Sequence, residues 1–265
     1  MNDPKEILDE IVALAILAGH KIMEVYDSDE FNVTQKSDNT PLTKADLAAH
    51  NTIIEGLSNL STQYPILSEE SAKIPFAERS NWHTYWLVDP LDGTREFIKR
   101  NGEFTVNIAL ISDHRPVLGV IYTPVKDTCY FACKSHGAYK QVGDTSPVRL
   151  HTKKKQTSYT IIAGSRSHQE NSLKPFLANI DEHEIFAMGS SLKSCLVAEG
   201  EVDIYPRLGP TSEWDTGAAH SIVEEAGGVI IETNGQTLLY NTKDSLLNPD
   251  FLVVGDPSYD WIQYL

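Results

Sequence analysis

The sequence predicts a mixed α/β (α+β) chain built from two dissimilar halves. Three observations carry this. Apolar residues recur at helical spacing near the N-terminus. Five short β-rich runs, separated by turn residues, follow between about residues 84 and 140. Beyond the lysines at 153–155, strands alternate with helices. The first half therefore reads as two helices on a mainly antiparallel sheet, and the second as an α/β layer with a partly parallel, mixed sheet. The expected division places residues 1–152 in the first unit and residues 153–265 in an α/β subdomain.

The elements follow in order. Ile7, Ile11, Leu14, Ala18, Ile22 and Val25 share one face of a helix predicted over residues 4–26. A second helix starts at "TKAD", where Thr43 as N-cap and Asp46 three residues on make a capping-box pattern. Leu47, Ile54, Leu57 and Leu60 give it an apolar face. The β-rich runs are "YWLV", "TVNIALI", "VLGVIYT", "TCYFA" and "GAYK", with "SDHRP" suited to a hairpin loop. "VGDTSPVRLHTKKKQTS" interrupts the pattern, and its three lysines read as a solvated connector. Then come "YTIIAG", a helix near 169–179, "HEIFA", a helix near 190–199, "VDIYP", a helix over 213–226, "GVII" and "FLVVG".

Composition narrows the partners. With 265 residues the chain can bury a substantial core. Lys plus Arg total 22 against 37 Asp plus Glu, a net charge of −15, which opposes binding to nucleic acid or to an anionic bilayer. A small anionic substrate stays open, because a bound cation reverses the local field. Cys129, Cys133 and Cys195 form no C-x-x-C pair and read as buried free thiols of a reducing compartment. The apolar run "IVALAILA" is too short to span a bilayer, and the acidic start before it is wrong for a signal peptide. A cytoplasmic protein without an integral membrane segment is expected, with peripheral placement on the inner membrane left open. Nothing implies an obligate protein partner.

The chemistry concentrates in "WLVDPLDGT", residues 86–94. A strand ends on Asp89, Pro90 stiffens the exit, and Asp92, Gly93 and Thr94 begin a turn or short helix. Two carboxylates this close repel unless something neutralises them. They are hard oxygen ligands for a divalent cation, beside backbone N–H groups that suit a phosphate. Gly93 lets the backbone approach such an anion. A phosphatase using an aspartyl nucleophile needs D-x-D-G-T, but Pro90 stands where that nucleophile would be. Metal-assisted attack by water is the reading that remains. "LSEES" adds Glu69 and Glu70, and "SEWDT" adds Asp215 at a helix start. Each has a plainer explanation: Asp46 and Asp215 as helix caps, the glutamates as surface acids.

Taken together, these motifs resemble the inositol monophosphatase superfamily of Mg²⁺-dependent, Li⁺-sensitive phosphatases. "WLVDPLDGTREF" resembles its first signature and "WDTGAAHSIVEEAGG" its second, with "PLTKAD" and "SEES" in the expected order. The likeness covers nearly the whole chain and implies a layered α/β/α/β/α sandwich with the acidic site between the halves. "GSSLKSCLVAEGEVDIYPRLGPTSEWDT" is most similar to the bacterial 3′(2′),5′-bisphosphate nucleotidases, which cleave adenosine 3′,5′-bisphosphate to AMP and phosphate.

The resemblance implies roles residue by residue. Glu69, Asp89 and the Leu91 carbonyl would hold one Mg²⁺. Asp89, Asp92 and Asp215 would hold a second, and a third, weakly held ion near Glu69 would acidify the attacking water. Gly93 and Thr94 N–H groups would take the scissile phosphate. The Thr94 hydroxyl, oriented by Asp46, would align and deprotonate the water. Glu69, Leu91, Asp92 and Asp215 would thereby face the substrate as well. Ser165, Arg166, Ser167 and His168 resemble a nucleotide-binding segment, although a plain strand-to-helix turn explains them too. Inositol-specific members carry a glutamate shortly before the "WD" motif, whereas "YPRLG" has no acid here. Lys193 and Arg207 would instead suit a second phosphate. The rivals are an inositol monophosphatase or broad sugar-phosphate phosphatase, a non-catalytic nucleotide sensor, and a protein with surface acids and no metal.

Overall fold

The computed structural model describes residues 3–28, 34–35, 41–156, 158–166 and 173–265. Helix α1 (Lys5–Tyr26) buries Leu8, Ile11, Leu14, Ala15, Ala18 and Ile22. Strands β1 (Thr34–Gln35) and β2 (Pro41–Leu42) pair antiparallel ahead of α2 (Lys44–Ser58). The Thr43–Asp46 capping box forms as expected. The inward face of α2 differs from the expectation. Leu47 is exposed and Ile54 only half-buried, while Ala45, Ala49, Ile53 and Leu57 are buried. Small alanines at i, i+4 spacing let α2 lie close against α1, and that packing outranks the larger apolar side chains.

A seven-stranded sheet runs in the order β3 (Ile66–Ser68), β4 (Thr84–Asp92), β5 (Thr105–Ser112), β6 (Arg115–Thr123), β7 (Thr128–Cys133), β8 (Gly137–Val142) and β9 (Val148–Arg149). The short helices α3 (Phe76–Arg79) and α4 (Thr94–Ile98) flank β4 in sequence. Every pairing is antiparallel except β3 with β4, so the expected antiparallel sheet carries one parallel edge pair. Side chains alternate between two cores. Trp86, Val88, Val106, Ile108 and Leu110 belong to the core under α1 and α2, while Tyr85, Leu87, Ala109 and Ile111 belong to the core on the opposite face.

A five-stranded sheet runs β11 (His183–Met188), β10 (Thr160–Ser165), β12 (Ile204–Arg207), β14 (Phe251–Val254), β13 (Val229–Glu232). Strand β10 pairs parallel with β11 and β12, and β14 pairs antiparallel with β12 and β13, giving the mixed sheet expected. Helices α6 (Leu192–Ala198) and α7 (Glu213–Glu225) lie between the two sheets. Helix α5 (Leu173–Ala178) closes the far face, where Leu173 and Phe176 pack with Ile162, Ile204, Leu252 and Trp261. The layers therefore read α/β/α/β/α. Residues 167–172, which begin the helix expected near 169–179, lie outside the described residues.

The lysine connector is more firmly held than a solvated linker. Lys153 Nζ donates to Glu201 O at 3.1 Å and lies 3.6 Å from Asp203 Oδ1. Lys155 N donates to Asp256 Oδ2 at 3.0 Å, and its ammonium stands over the Trp261 ring. The three cysteines are buried and free. No helix among the described residues is long and apolar enough to cross a membrane.

Candidate active site

The geometry of "DPLD" explains how two acids three positions apart share one face. Along β4, odd-numbered side chains point toward α7, so Asp89 does too, opposite Asn107 of β5. By simple alternation Asp92 would point the other way, into the core under α1 and α2. A register shift lies between the two: Asp89 pairs with Asn107 but Asp92 with Thr105, so two residues, Pro90 and Leu91, stand opposite one, Val106. This bulge, at Pro90 and Leu91, returns Asp92 to the face of Asp89. Asp89 Oδ1 accepts the Leu91 N–H at 3.1 Å across the turn. Gly93 follows with φ +90°, and a side chain there would meet Glu103 O at 3.0 Å.

Neighbouring elements complete the cluster. The parallel pairing Ser68 to Val88 sets Glu69 beside Asp89. Asp215 arrives on the first turn of α7, where its Oδ2 accepts the Ser212 N–H at 2.8 Å. Carboxylate oxygens of Asp89, Asp92 and Asp215 all lie within 4.8 Å of one another. Burial, then the charges of Glu69, Asp92 and Asp215, push the Asp89 carboxyl far above the ordinary range. Burial and Asp92 raise Asp215 to about 8. Such a group is unfavourable alone and suited to a dication. Its donors are all hard oxygens, the set preferred by Mg²⁺, Mn²⁺ or Ca²⁺.

Asp46 serves both readings that the sequence left open. Its Oδ2 accepts from Thr43 N and Oγ1 at 2.7 and 2.6 Å, and its Oδ1 accepts from Thr94 Oγ1 at 3.2 Å. The Thr94 hydroxyl also lies 3.3 Å from Leu91 O. A cleft of about 550 Å³ opens over these groups, lined also by Lys193, Tyr205 and Arg207. Lys193 is buried, with Nζ donating to Ser190 O at 2.6 Å. Burial lowers its pKa, and the charges of Asp92 and Asp215 oppose that shift. Arg207 is half-buried and donates to Pro210 O at 2.8 Å.

Comparison with known proteins agrees with this architecture. The inositol monophosphatase family profile matches residues 3–255. The chain belongs to that family. It is 46% identical to the 3′(2′),5′-bisphosphate nucleotidase CysQ of Escherichia coli over 248 residues, covering 93% of this chain and 99% of the relative. CysQ of Haemophilus influenzae is 39% identical, with 97% and 96% covered. Among solved structures, CysQ of Bacteroides thetaiotaomicron superposes with a TM-score of 0.83 at 41% identity, covering 94% of this chain and 98% of that one.

Within this inositol monophosphatase framework, the cleft gathers Glu69, Asp89, Leu91, Asp92, Gly93, Thr94, Ser165, Lys193, Arg207 and Asp215. Arg166 is not among its lining residues. Its Nε donates to Glu103 Oε2 at 2.8 Å and its Nη2 to Ala187 O at 2.8 Å. Ser167 and His168 lie outside the described residues.

Two groups escaped the sequence reading. Ser191 N donates to Asp92 Oδ2 at 2.6 Å, and its Oγ lies 2.7 Å from the same oxygen and 3.0 Å from Asp215 O. Buried Asn107 donates to Ser191 Oγ at 2.8 Å and accepts from Thr105 Oγ1 at 2.9 Å. This polar chain fixes the Asp92 carboxylate from behind. Its only sequence signal is a pair of serines before a helix, which reads as a cap.

Glu103 is the second. Its Oε2 accepts Gly189 N at 2.7 Å as well as Arg166, so one carboxylate holds the 189–191 turn against the first half. A side chain at Gly189 would collide with Glu103 at 2.9 Å. Glu103→Ala is expected to cut kcat/KM by about 100-fold, since a misplaced site costs that order. Glu103→Gln keeps an acceptor for Gly189 and should recover most of the loss. Steady-state kinetics at matched Tm checks this; equal loss in both variants would remove the positioning role.

Proposed function

We infer that this chain is a metal-dependent phosphatase that removes the 3′-phosphate of adenosine 3′,5′-bisphosphate, giving AMP and phosphate. The observation that carries the reading is one cleft with two poles. The Asp89–Asp92–Asp215 triangle with Glu69 forms an all-oxygen cation site, and Lys193 and Arg207 line the same cleft. The first pole suits a cation-bound scissile phosphate, and the second suits another phosphate. The activity in the names of the CysQ relatives supports the same substrate class.

Glu69, Asp89, the Leu91 carbonyl, Asp92 and Asp215 would hold two or three Mg²⁺ ions. When bound, these ions supply charge neutralisation on the phosphate and acidify the attacking water. The protein's own groups do the rest. Thr94 Oγ accepts a proton from the water as its own passes toward Asp46 Oδ1, along the contact already formed. N–H groups of Gly93 and Thr94, at the open start of α4, receive phosphate oxygens. Trp214 and the edge of Tyr205 line the same cleft and offer aromatic surface suited to a base. We also take residues 1–152 and 153–265 as the two units, in a cytoplasmic enzyme inhibited by Li⁺.

Phosphate release from adenosine 3′,5′-bisphosphate and from inositol 1-phosphate, side by side in Mg²⁺ with and without Li⁺, tests the proposal. A strong preference for the bisphosphate, suppressed by Li⁺, is expected. Preference for the inositol ester would overturn the substrate assignment, and tight nucleotide binding without turnover would overturn the catalytic one.

Arg207→Ala separates the second pole from the first. It should raise KM for the bisphosphate about 10- to 100-fold, as expected for one charge-assisted contact. KM for a monophosphate should move much less. A parallel rise on both substrates would assign Arg207 to the Arg207–Pro210 turn alone.

A further inference from the structure

A second set of metal-type donors lies outside the cleft. Strands β7 and β8 are joined through Cys133, Lys134, Ser135, His136 and Gly137, a C-x-x-H spacing closed by His136 N donating to Cys133 O at 2.9 Å. Asp3, two residues before α1, brings its Oδ2 to 3.4 Å from His136 Nε2. Ligand atoms of Asp3, Cys133 and His136 all lie within 4.8 Å of one another.

The surroundings fix these donors. Asp3 Oδ1 accepts the Lys5 N–H at 3.0 Å, which orients the carboxylate. Behind the turn, Glu225 at the end of α7 accepts Ser135 N on one oxygen and Gly137 N on the other, both at 2.8 Å. The turn is thereby held by a carboxylate that is not itself one of the three donors. Cys133 is buried, His136 half-buried and Asp3 exposed, so the three converge at the rim of the sheet with the sulfur beneath.

We propose that Asp3, Cys133 and His136 form a second metal site, selective for a thiophilic dication such as Zn²⁺. A thiolate, an imidazole and a carboxylate with one open position is a Zn²⁺ donor set. The catalytic cluster, made only of oxygens, suits harder ions, so the two sites divide metals by ligand softness. Burial and the nearby Asp3 and Glu225 charges hold the Cys133 thiol up at about 11. A dication among these groups offsets that penalty, and the thiol proton leaves to solvent as the ion enters. The loaded site would tie the start of α1 to the β7–β8 turn.

Co²⁺ titration of the full chain, with the cleft saturated by Mg²⁺, tests this apart from catalysis. Thiolate-to-cobalt charge transfer in the near ultraviolet reports a sulfur ligand and is absent from an oxygen-only site. The expected result is a saturable band, displaced by Zn²⁺, retained in Asp89→Asn and Cys195→Ala, and lost in Cys133→Ala. His136→Ala, at a half-buried residue of the β7–β8 turn, should weaken Co²⁺ binding by about tenfold or more. Absence of the band, its survival in Cys133→Ala, or wild-type affinity in His136→Ala would each overturn the proposal.

Discussion

Asp89→Asn is expected to lower kcat by about 1,000-fold or more while the protein stays folded. Losing 1,000-fold in rate corresponds to about 4 kcal/mol of transition-state stabilisation. Asp89 sits at the centre of the cluster: Glu69 directly follows the parallel strand β3 beside it, and carboxylate oxygens of Asp92 and Asp215 lie within 4.8 Å of its own. Asparagine keeps the shape and the oxygen that accepts from Leu91 N, so the bulge persists. What disappears is one negative charge in a buried acidic group. Without metal, that loss relieves repulsion, and the variant should melt at or above the wild-type Tm. With Mg²⁺, the wild type should gain stability and the variant should gain far less. Paired melting curves and turnover in Mg²⁺ check both signs. Wild-type turnover, or an undiminished Mg²⁺ shift, would remove Asp89 from the cation site.

Gly119→Ala is expected to have the largest effect on stability. In β6, where α7 crosses the seven-stranded sheet, a methyl group at Gly119 would sit 2.3 Å from Ala218 O and 3.0 Å from Ala218 C and Cα. Both partners are backbone, one in a central strand and one in a buried helix, so neither yields cheaply. Overpacking of this kind costs about 3 kcal/mol. For a chain of this size that is roughly 6–12 °C in Tm. Activity should fall as well, because α7 carries Asp215 one turn before the clash. Gly217→Ala is the control: its nearest obstacle, at 2.9 Å, is the far end of the Leu87 side chain, which can rotate. Differential scanning calorimetry of the two variants decides it; equal Tm values would show that α7 slides freely on β6.

Much of the fold could be read from the sequence because periodicity and turn chemistry are local. The long strands, α1, α6, α7 and the Thr43–Asp46 capping box all lie where local spacing puts them. The inward face of α2 was not legible, since the helix buries alanines whose value depends on how near α1 comes. Nor was the parallel placement of β3, whose partners on β4 lie 20 residues further along the chain, as Ile66 to Trp86 shows. The acids of the site stood out as motifs. Ser191, Asn107 and Glu103 did not, because they act on other side chains across 63 to 99 residues of sequence. A serine before a helix, or an acid after Asn-Gly, looks the same whether or not such a contact forms.

The bulge in β4 also makes a statement about chain length. A surface loop can gain or lose a residue without moving side chains between the faces of a sheet. From Asp89 to Asp92 that freedom is absent. Deleting Pro90 or Leu91 would give β4 an unbroken ladder with β5 at no cost in composition, since both acids survive. Alternation would then hold the two acids, now two apart, on one face, so what the deletion removes is the turn itself, with the Leu91 N–H that Asp89 accepts. In this stretch the count of residues acts as a ruler: a spacing of three demands the bulge, a spacing of two would not, and a spacing of three without the bulge would turn Asp92 away from Asp89.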